Sequence, residues 1–550
     1  MSIGNFDLVQ SLKGYNRRLF LGDLSAGFIV AIVALPLCIA FAIASGLEPE
    51  KGIITGIVAS LIVAIFSGSH VQIAGPSGPF VVIAFGVMQQ AGLNGLIIAT
   101  FTAGVMLIIM GRAGLGSLIR FIAYPVIAGF TAGVAILLFT TEFGDMLGLH
   151  TAASGGSLIA KWQSYFAALG TVNPWAVIVT AGCVLVIMIR VKWLKRVPQS
   201  FVALILATVA VQVFNLPVDT IGSRFANISA GLPSPVFPQL SFEIVREMIQ
   251  PAMAIALLAA IESLLSAVVA DGMTGTTHNP NNVLVAQGLA NIGSSFFGGL
   301  PACAALARTA TNVRNGGRTF VSGLVHALVL ALIALALGEW ASLIPLASLG
   351  AILFVVAFNL FNWPALSALF KNPRSDIAVL LATLGITVLV DLSTGVLVGM
   401  ALAAVLFIQR MAAATDVNVV TREFRREAAP ATQAATITVP RGVEVYEING
   451  PFFFGAVYKL REAISLPSKK PRVRLIRMSK VNVMDSTGLH ALEEVYHICR
   501  KEGSTLVISE IHAQPFTALM KSGLLDIFGE ANVTASFEDA ISRAEQIVHP

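Results

Sequence analysis

Two apolar stretches of this chain are interrupted in the same way, each where a membrane-crossing helix would need an unbroken backbone. The first is His70-Val-Gln-Ile-Ala-Gly75-Pro76-Ser77-Gly78-Pro79-Phe80, and the second runs from Phe297 through Gly298, Gly299 and Pro301 to Arg308. Pro and Gly do not sustain a helix there, so each stretch predicts a short extended piece followed by a half-helix. In the span count below they are the third of a first seven and the third of a second seven. Paired broken spans in matching positions point to the solute site of an inverted-repeat transporter. Each half-helix would aim the partial positive charge and free N–H groups of its N-terminus at one place near the midplane. That geometry suits an anion, and Arg308 adds a full cation.

Of the 550 residues, 56% are hydrophobic and only 12% charged. Apolar runs near the length of a bilayer crossing recur from Leu24 onwards, which excludes a soluble chain. Charge density changes sharply near residue 410. Up to Arg410 there are 19 Lys/Arg and 14 Asp/Glu, whereas the last 140 residues hold 16 of each. A membrane region over 24–410 is therefore expected after an N-terminal segment 1–23. A linker at 411–435 and a soluble domain over 436–550 follow. The net charge of +5 lies in the membrane part and reads as topology. The polar, basic first twenty residues argue against a cleavable signal peptide. Cys38, Cys183, Cys303 and Cys499 have no paired spacing and read as free thiols.

Fourteen apolar blocks are expected, at 24–46, 52–68, 71–90, 94–111, 118–140, 173–191, 199–215, 247–270, 282–298, 303–314, 318–338, 341–361, 375–391 and 393–410. With the N-terminus inside, 14 Lys/Arg fall on cytoplasmic segments, among them Arg17, Arg112, Arg314 and Lys371. The outer segments hold only Lys51, Lys161, Arg224 and Arg246. That asymmetry predicts cytoplasmic termini and supports the span count. In the tail, Val443–Gly450 and Val473–Ser479 alternate like half-buried strands, and Ser486–Arg500 has helical periodicity after a Ser/Thr start. Thr505–Ser509 reads as a buried strand and Phe516–Ser522 as a short helix. Strands alternating with helices predict a small α/β domain.

Several strings resemble one family. Ala34-Leu-Pro-Leu37 with Ala40-Phe41-Ala42 and Ser45-Gly46-Leu47 resembles the opening of the SulP anion transporters, which include sulfate permeases, bicarbonate and dicarboxylate carriers and prestin. Gly68-Ser69 with Gly75–Pro79 resembles the third span of that family. Glu262–Asp271 with His278, Asn281, Gln287-Gly288 and Asn291 resembles its eighth and ninth. Asp485-Ser-Thr-Gly-Leu489 after a strand resembles a STAS domain. The resemblance covers nearly the whole chain. It implies a membrane all-α fold of fourteen segments, arranged as a 7+7 inverted repeat with core and gate domains. It further implies an elevator-like slide of core against gate, and a homodimer. The run Asp271–His278 followed by Ala305–Ala310 looks closest to bacterial C4-dicarboxylate carriers.

Arg308 reads either as an anion ligand or as half of a structural ion pair with Glu262 or Asp391. An arginine within a span is expensive and needs a partner or a role. The family often carries Arg at this point, which favours the ligand reading. Ser77, Gly78 and Phe80 would form the other half of the pocket, with Ala307 beside Arg308. Phe41, Phe80 or both would supply an apolar wall. Glu262 reads as a coupling carboxylate for a proton or sodium, or as a plain counter-ion to Arg308. Ser266, one turn on, shares its face. Asp391 reads as structural, while Asp23 and Asp271 are expected at membrane–water boundaries. His70 and His278 read as turn or cap groups. Ser486 occupies the position that anti-sigma-factor antagonists phosphorylate, but an N-cap role explains Ser486 and Thr487.

The sequence therefore predicts a secondary active transporter of small anions in a bacterial inner membrane, with proton-coupled C4-dicarboxylate uptake as the leading expectation. Bicarbonate, sulfate or chloride transport is the alternative. An uncoupled anion channel, a STAS-based signalling platform and a nucleobase permease are the other readings weighed. No phosphate-binding loop or metal spacing occurs, so no cofactor, metal, nucleic-acid partner or enzyme activity is expected. A cytoplasmic protein is the partner expected for the STAS-like domain.

Overall fold

The computed structural model describes residues 15–117, 123–150, 158–189, 199–225, 234–236, 239, 241–371, 373–414, 416–420, 423–425, 436–465 and 471–549. It divides into two compact units, Met1–Ala403 and Ala404–Pro550. Most of the expected linker lies outside the described residues.

The membrane unit opens with α1 (Arg17–Ala44), α2 (Pro49–Phe66), the short strand β1 (Ala74–Pro76) and α3 (Gly78–Arg112). Gly92, at φ 63°, breaks α3 into two pieces, so the expected third and fourth spans meet at a residue whose backbone favours glycine. Next come α4 (Tyr124–Leu147), a short helix α5 (Leu158–Ala167), α6 (Pro174–Met188) and α7 (Gln199–Val213). The second half follows the same plan. It consists of α8 (Phe242–Thr274), α9 (Pro280–Ser295), strand β2 (Ala302–Ala304), α10 (Leu306–Arg314), α11 (Val321–Ala341), α12 (Leu346–Phe361), α13 (Arg374–Leu389) and α14 (Leu392–Ala414). This is the fourteen-segment, 7+7 inverted-repeat architecture, and β1 and β2 pair antiparallel at its centre. The first helix starts seven residues before the expected span, because Asn16 caps it through Leu19 N.

The helices sort into two groups. α1, α2, α3, α8, α9, α10 and α11 pack mainly on one another, and α4, α6, α7, α12 and α13 form the second set. Close approach rests on glycine in both. A Cβ on Gly104 of α3 would lie 2.7 Å from the carbonyl of Gly288 on α9, and one on Gly288 would lie 2.5 Å from that of Gly104. Small residues let backbones meet in this way where apolar burial alone cannot hold helices together. In the second group a Cβ on Gly129 of α4 would lie 2.5 Å from Leu380 O on α13. The amphipathic α5, absent from the expected spans, places Trp162 against Phe139 and Phe143 and donates Tyr165 Oη to Thr140 O at 2.9 Å.

The second unit is α/β. Its five-stranded sheet has the order β3 (Asp416–Val420), β6 (Val443–Asn449), β7 (Val473–Lys480), β8 (Thr505–Ser509), β9 (Val533–Thr534). β4 (Glu423–Arg425) and β5 (Thr436–Thr438) pair separately. All neighbours in the large sheet are parallel except β3, which joins the edge antiparallel. β3 falls in the stretch expected to be linker. Helices α15 (Phe454–Ser465), α16 (Ser486–Glu502), α17 (Ala513–Lys521), α18 (Leu524–Phe528) and α19 (Phe537–Val548) complete the unit. Ile448, Ile476 and Ile508 pack beneath α15 and α16, while Val445, Leu475 and Val507 face α19. The alternation seen in the sequence thus separates two cores on the two faces of one sheet.

A Gly288→Val substitution should weaken the α3–α9 crossing by about 1–3 kcal/mol through overpacking. Thermal unfolding of the purified protein would report this as a lowered midpoint, and an unchanged midpoint would contradict the close contact.

Candidate functional site

Extended backbone inside a membrane leaves N–H and C=O groups that only protein can satisfy. Polar residues in otherwise apolar spans do this here. Gln287 Nε2 and Asn291 Nδ2 donate to Ala302 O at 3.0 and 2.9 Å, while Asn291 Oδ1 accepts from Ala302 N. Ser263 Oγ accepts from Ala304 N at 3.1 Å, and Ser60 Oγ donates to Ala74 O. Asn312 and Gln72 similarly hold Val71 O and Ser263 O. The crossing is therefore fixed from α2, α8, α9 and α10 together. Gly78 begins α3 and Leu306 begins α10 immediately after the two strands, as the broken spans predicted.

Arg308 occupies the first turn of α10 and is 2% exposed. Its Nη2 donates to Pro76 O on the opposite strand. Its Nη1 is buried without a hydrogen-bond partner. No ion pair joins it to Glu262 or Asp391 among the described residues, so the structural-pair reading fails. Gly75 is what allows this placement, since a Cβ there would overlap Arg308 Nη1. A buried cation with an open donor is costly unless an acceptor arrives.

Glu262 sits on α8 and accepts at Oε2 from Ser77 Oγ (2.9 Å) and Cys303 Sγ (2.7 Å). It thus touches the cap residue of one half-helix and the middle of the other strand. From the sequence Cys303 reads only as a free thiol; its place opposite Gly75 in the strand register carries no sequence signal. Ser266 is buried with an unpartnered hydroxyl, and it is not among the residues lining the cavity described next.

A cavity of about 650 Å³ opens at this point. Ser77, Gly78, Glu262, Ala307 and Arg308 line it from the first helix group. Phe41 of α1 lines it as well, together with Phe130 of α4 and Val356 and Asn359 of α12. Phe80 does not. Its side chain is 1% exposed and belongs to the packed core, and its N–H donates to Ser77 O at 3.1 Å. Helical periodicity explains the correction, because residue 80 turns away from the face that Ser77 and Gly78 present. The aromatic wall is Phe41 and Phe130, and the second of these was missed.

The other polar residues are structural. Asp391 accepts from Thr394 N and Oγ1 at 2.8 and 2.6 Å. Asp271 pairs with His278 at 2.6 Å and accepts from its N–H across the turn before α9, while Asn279 caps that helix. Asp23 is tied down by protein groups. It is fully buried and accepts from Arg318 N, Thr319 N and Thr319 Oγ1, joining α1 to the start of α11. In the second unit Asp485, not Ser486 or Thr487, caps α16 by accepting from Gly488 N at 2.9 Å. An aspartate one residue earlier reaches the same orphan N–H.

The sequence profile described as "Sulfate permease family" matches residues 20–383, and the STAS domain profile matches 434–540. The chain belongs to the sulfate permease (SulP) family. It is 39% identical over 520 residues to the putative sulfate transporter YvdB of Bacillus subtilis (strain 168), covering 94% of this chain and 96% of that one. It is 33% identical over 448 residues to the bicarbonate transporter BicA of Picosynechococcus sp., covering 79% of each. The solved transmembrane domain of a cyanobacterium BicA superposes with TM-score 0.63 at 30% identity, over 71% of this chain and 98% of that one. Murine Solute Carrier 26 family member A9 in its inward-facing state gives TM-score 0.86 at 19% identity, over 98% and 94%, which speaks to fold alone. This SulP chain is an integral membrane anion transporter with a C-terminal STAS domain, and not an enzyme.

A Gly75→Ala substitution should push the Arg308 guanidinium off Pro76 O. Anion binding, followed by calorimetry on purified protein, should fall nearly as far as in Arg308→Ala. Native affinity in Gly75→Ala would contradict the packing described.

Proposed function

We propose that this protein is a secondary active transporter of a small inorganic oxyanion, held between the N-termini of α3 and α10. The observation that carries the reading is the buried Arg308 guanidinium with one donor open beside those two termini. Ser77, Gly78 and Ala307 border the same space, and Phe41 with Phe130 would exclude water from one side. Relatives named for sulfate and bicarbonate favour these two substrates. None of the relatives compared above is named for a C4-dicarboxylate, so that expectation gives way to the oxyanion.

An elevator-like motion fits the division of labour. Arg308, Ser77 and Glu262 all belong to the first helix group, while α4, α12 and α14 face them with Phe130, Val356 and Leu392. A solute held by one body can then slide past an apolar wall of the other. Glu262 is the coupling group in this proposal, because its carboxylate links Ser77 to Cys303. Protonation would take away acceptor capacity at that link. Ser266, buried beside it, is available to a sodium ion, which is the second coupling option. Such a built coupling site disfavours an uncoupled channel, and the converging half-helices disfavour a pure signalling role. The 14-to-4 asymmetry of Lys and Arg supports cytoplasmic termini in a bacterial inner membrane. Homodimerisation and a protein partner for the STAS domain rest on the family resemblance.

Proteoliposome uptake of labelled sulfate, bicarbonate, fumarate and succinate, with and without an inward proton gradient, tests this directly. Sulfate or bicarbonate should enter, and Arg308→Ala should weaken binding on the order of 10–100-fold, the loss of a charge-assisted contact. In Glu262→Gln the response to a pH gradient should disappear. Preference for neutral or cationic solutes would sink the proposal, and undiminished proton drive in Glu262→Gln would remove the coupling role.

A further inference from the structure

One wall of the cavity is a single face of α10. Ala307, Ala310, Thr311 and Arg314 follow the i, i+3, i+4, i+7 spacing and all border the cavity. The three small side chains leave a track along the helix, and Arg314 stands at its end. Arg314 is exposed where Arg308 is buried, and six residues put them about 9 Å apart along the axis. Among the described residues Arg314 makes no hydrogen bond or ion pair. Asn359 of α12, also exposed, lines the same cavity. The charged residues lining it are Glu262, Arg308 and Arg314, and Glu262 Oε2 already accepts from Ser77 and Cys303. Two guanidinium groups against one carboxylate leave a net positive field in a low-dielectric cleft, and Arg314 is the cation at its exposed end. Such clefts concentrate counter-ions and raise association rates by about 10–10³-fold.

We propose that Arg314 is a capture station at the mouth of the cavity. It draws a small anion from the cytoplasmic side, where the charge asymmetry places Arg314, and delivers it along Ala310 and Ala307 to the pocket at Arg308. This deepens the anion-transport reading and rests on it. Arg314 thereby sets how readily the site loads, whereas Arg308 sets how tightly the anion is held. A residue present only to fix topology would have no such effect.

The test replaces Arg314 by cysteine and restores or reverses the charge chemically. All four native cysteines are buried, and native protein treated identically is the control. Uptake of labelled sulfate and of labelled bicarbonate is measured against concentration in inside-out proteoliposomes, which present the cytoplasmic face and Arg314 to the added anion. Arg314→Cys should raise KM about tenfold at low ionic strength with the maximal rate unchanged, the lower end of the steering range. Modification with an ammonium-bearing methanethiosulfonate should restore KM, and the sulfonate-bearing reagent of equal length should raise it further. Those differences should shrink as the Debye length falls from about 30 Å at 0.01 M salt to about 3 Å at 1 M. Equal effects of the two reagents, or a KM untouched by the cysteine, would overturn the station. If Arg308→Ala still weakened binding in that case, the pocket would stand without it. If native protein moved neither anion, the underlying reading and this inference would both fall.

Discussion

The membrane unit depends on one arrangement: two strands of three residues each, crossing antiparallel where both neighbouring backbones have given up the helix. Every unsatisfied peptide group there would carry a penalty of several kcal/mol in hydrocarbon. The chain meets it with side chains that look out of place in apolar spans. Gln287, Asn291, Ser263 and Ser60 each bond a strand carbonyl or N–H. Once the crossing is held, two helices must start on either side of it, and their N-termini face the same space. The site is a consequence of how the interruption is satisfied.

From that crossing follows the asymmetry between the two helix groups. The first carries the strands, Arg308, Glu262 and Ser77, and is closed by glycine contacts such as Gly104 against Gly288. The second presents Phe130 and Val356 to the cavity and holds itself together through Gly129 and the small residues of α6, α7 and α12. Polar residues on one group and an apolar surface on the other are the division that the proposed elevator-like motion would use. Glu262, hydrogen-bonded to Ser77 and Cys303, gives the first group a protonatable link between its two halves.

Much of this was legible in the chain. The fourteen blocks, the break at Gly92, the extended pieces before Gly78 and Leu306, and the alternating strands of the α/β unit all follow from local chemistry. Proline and glycine report backbone directly, and periodicity reports a buried face. What failed were statements about direction and partnership. Phe80 was one helical step off the cavity face. The burial of Asp23 by Thr319, nearly 300 residues away, had no local signal. β3 was read as linker because an edge strand needs β6 to be recognised as one.

The sequence by itself determined the number of spans, the membrane class, the family and the two places where a helix could not continue, since each is encoded within a few neighbouring residues. Tertiary structure alone decided that Arg308 lies on Gly75 and Pro76 and not against Glu262, that Cys303 meets the carboxylate, and that Arg314 shares the cavity. Those facts depend on the antiparallel meeting of segments more than 200 residues apart, and no local pattern records the register in which they meet.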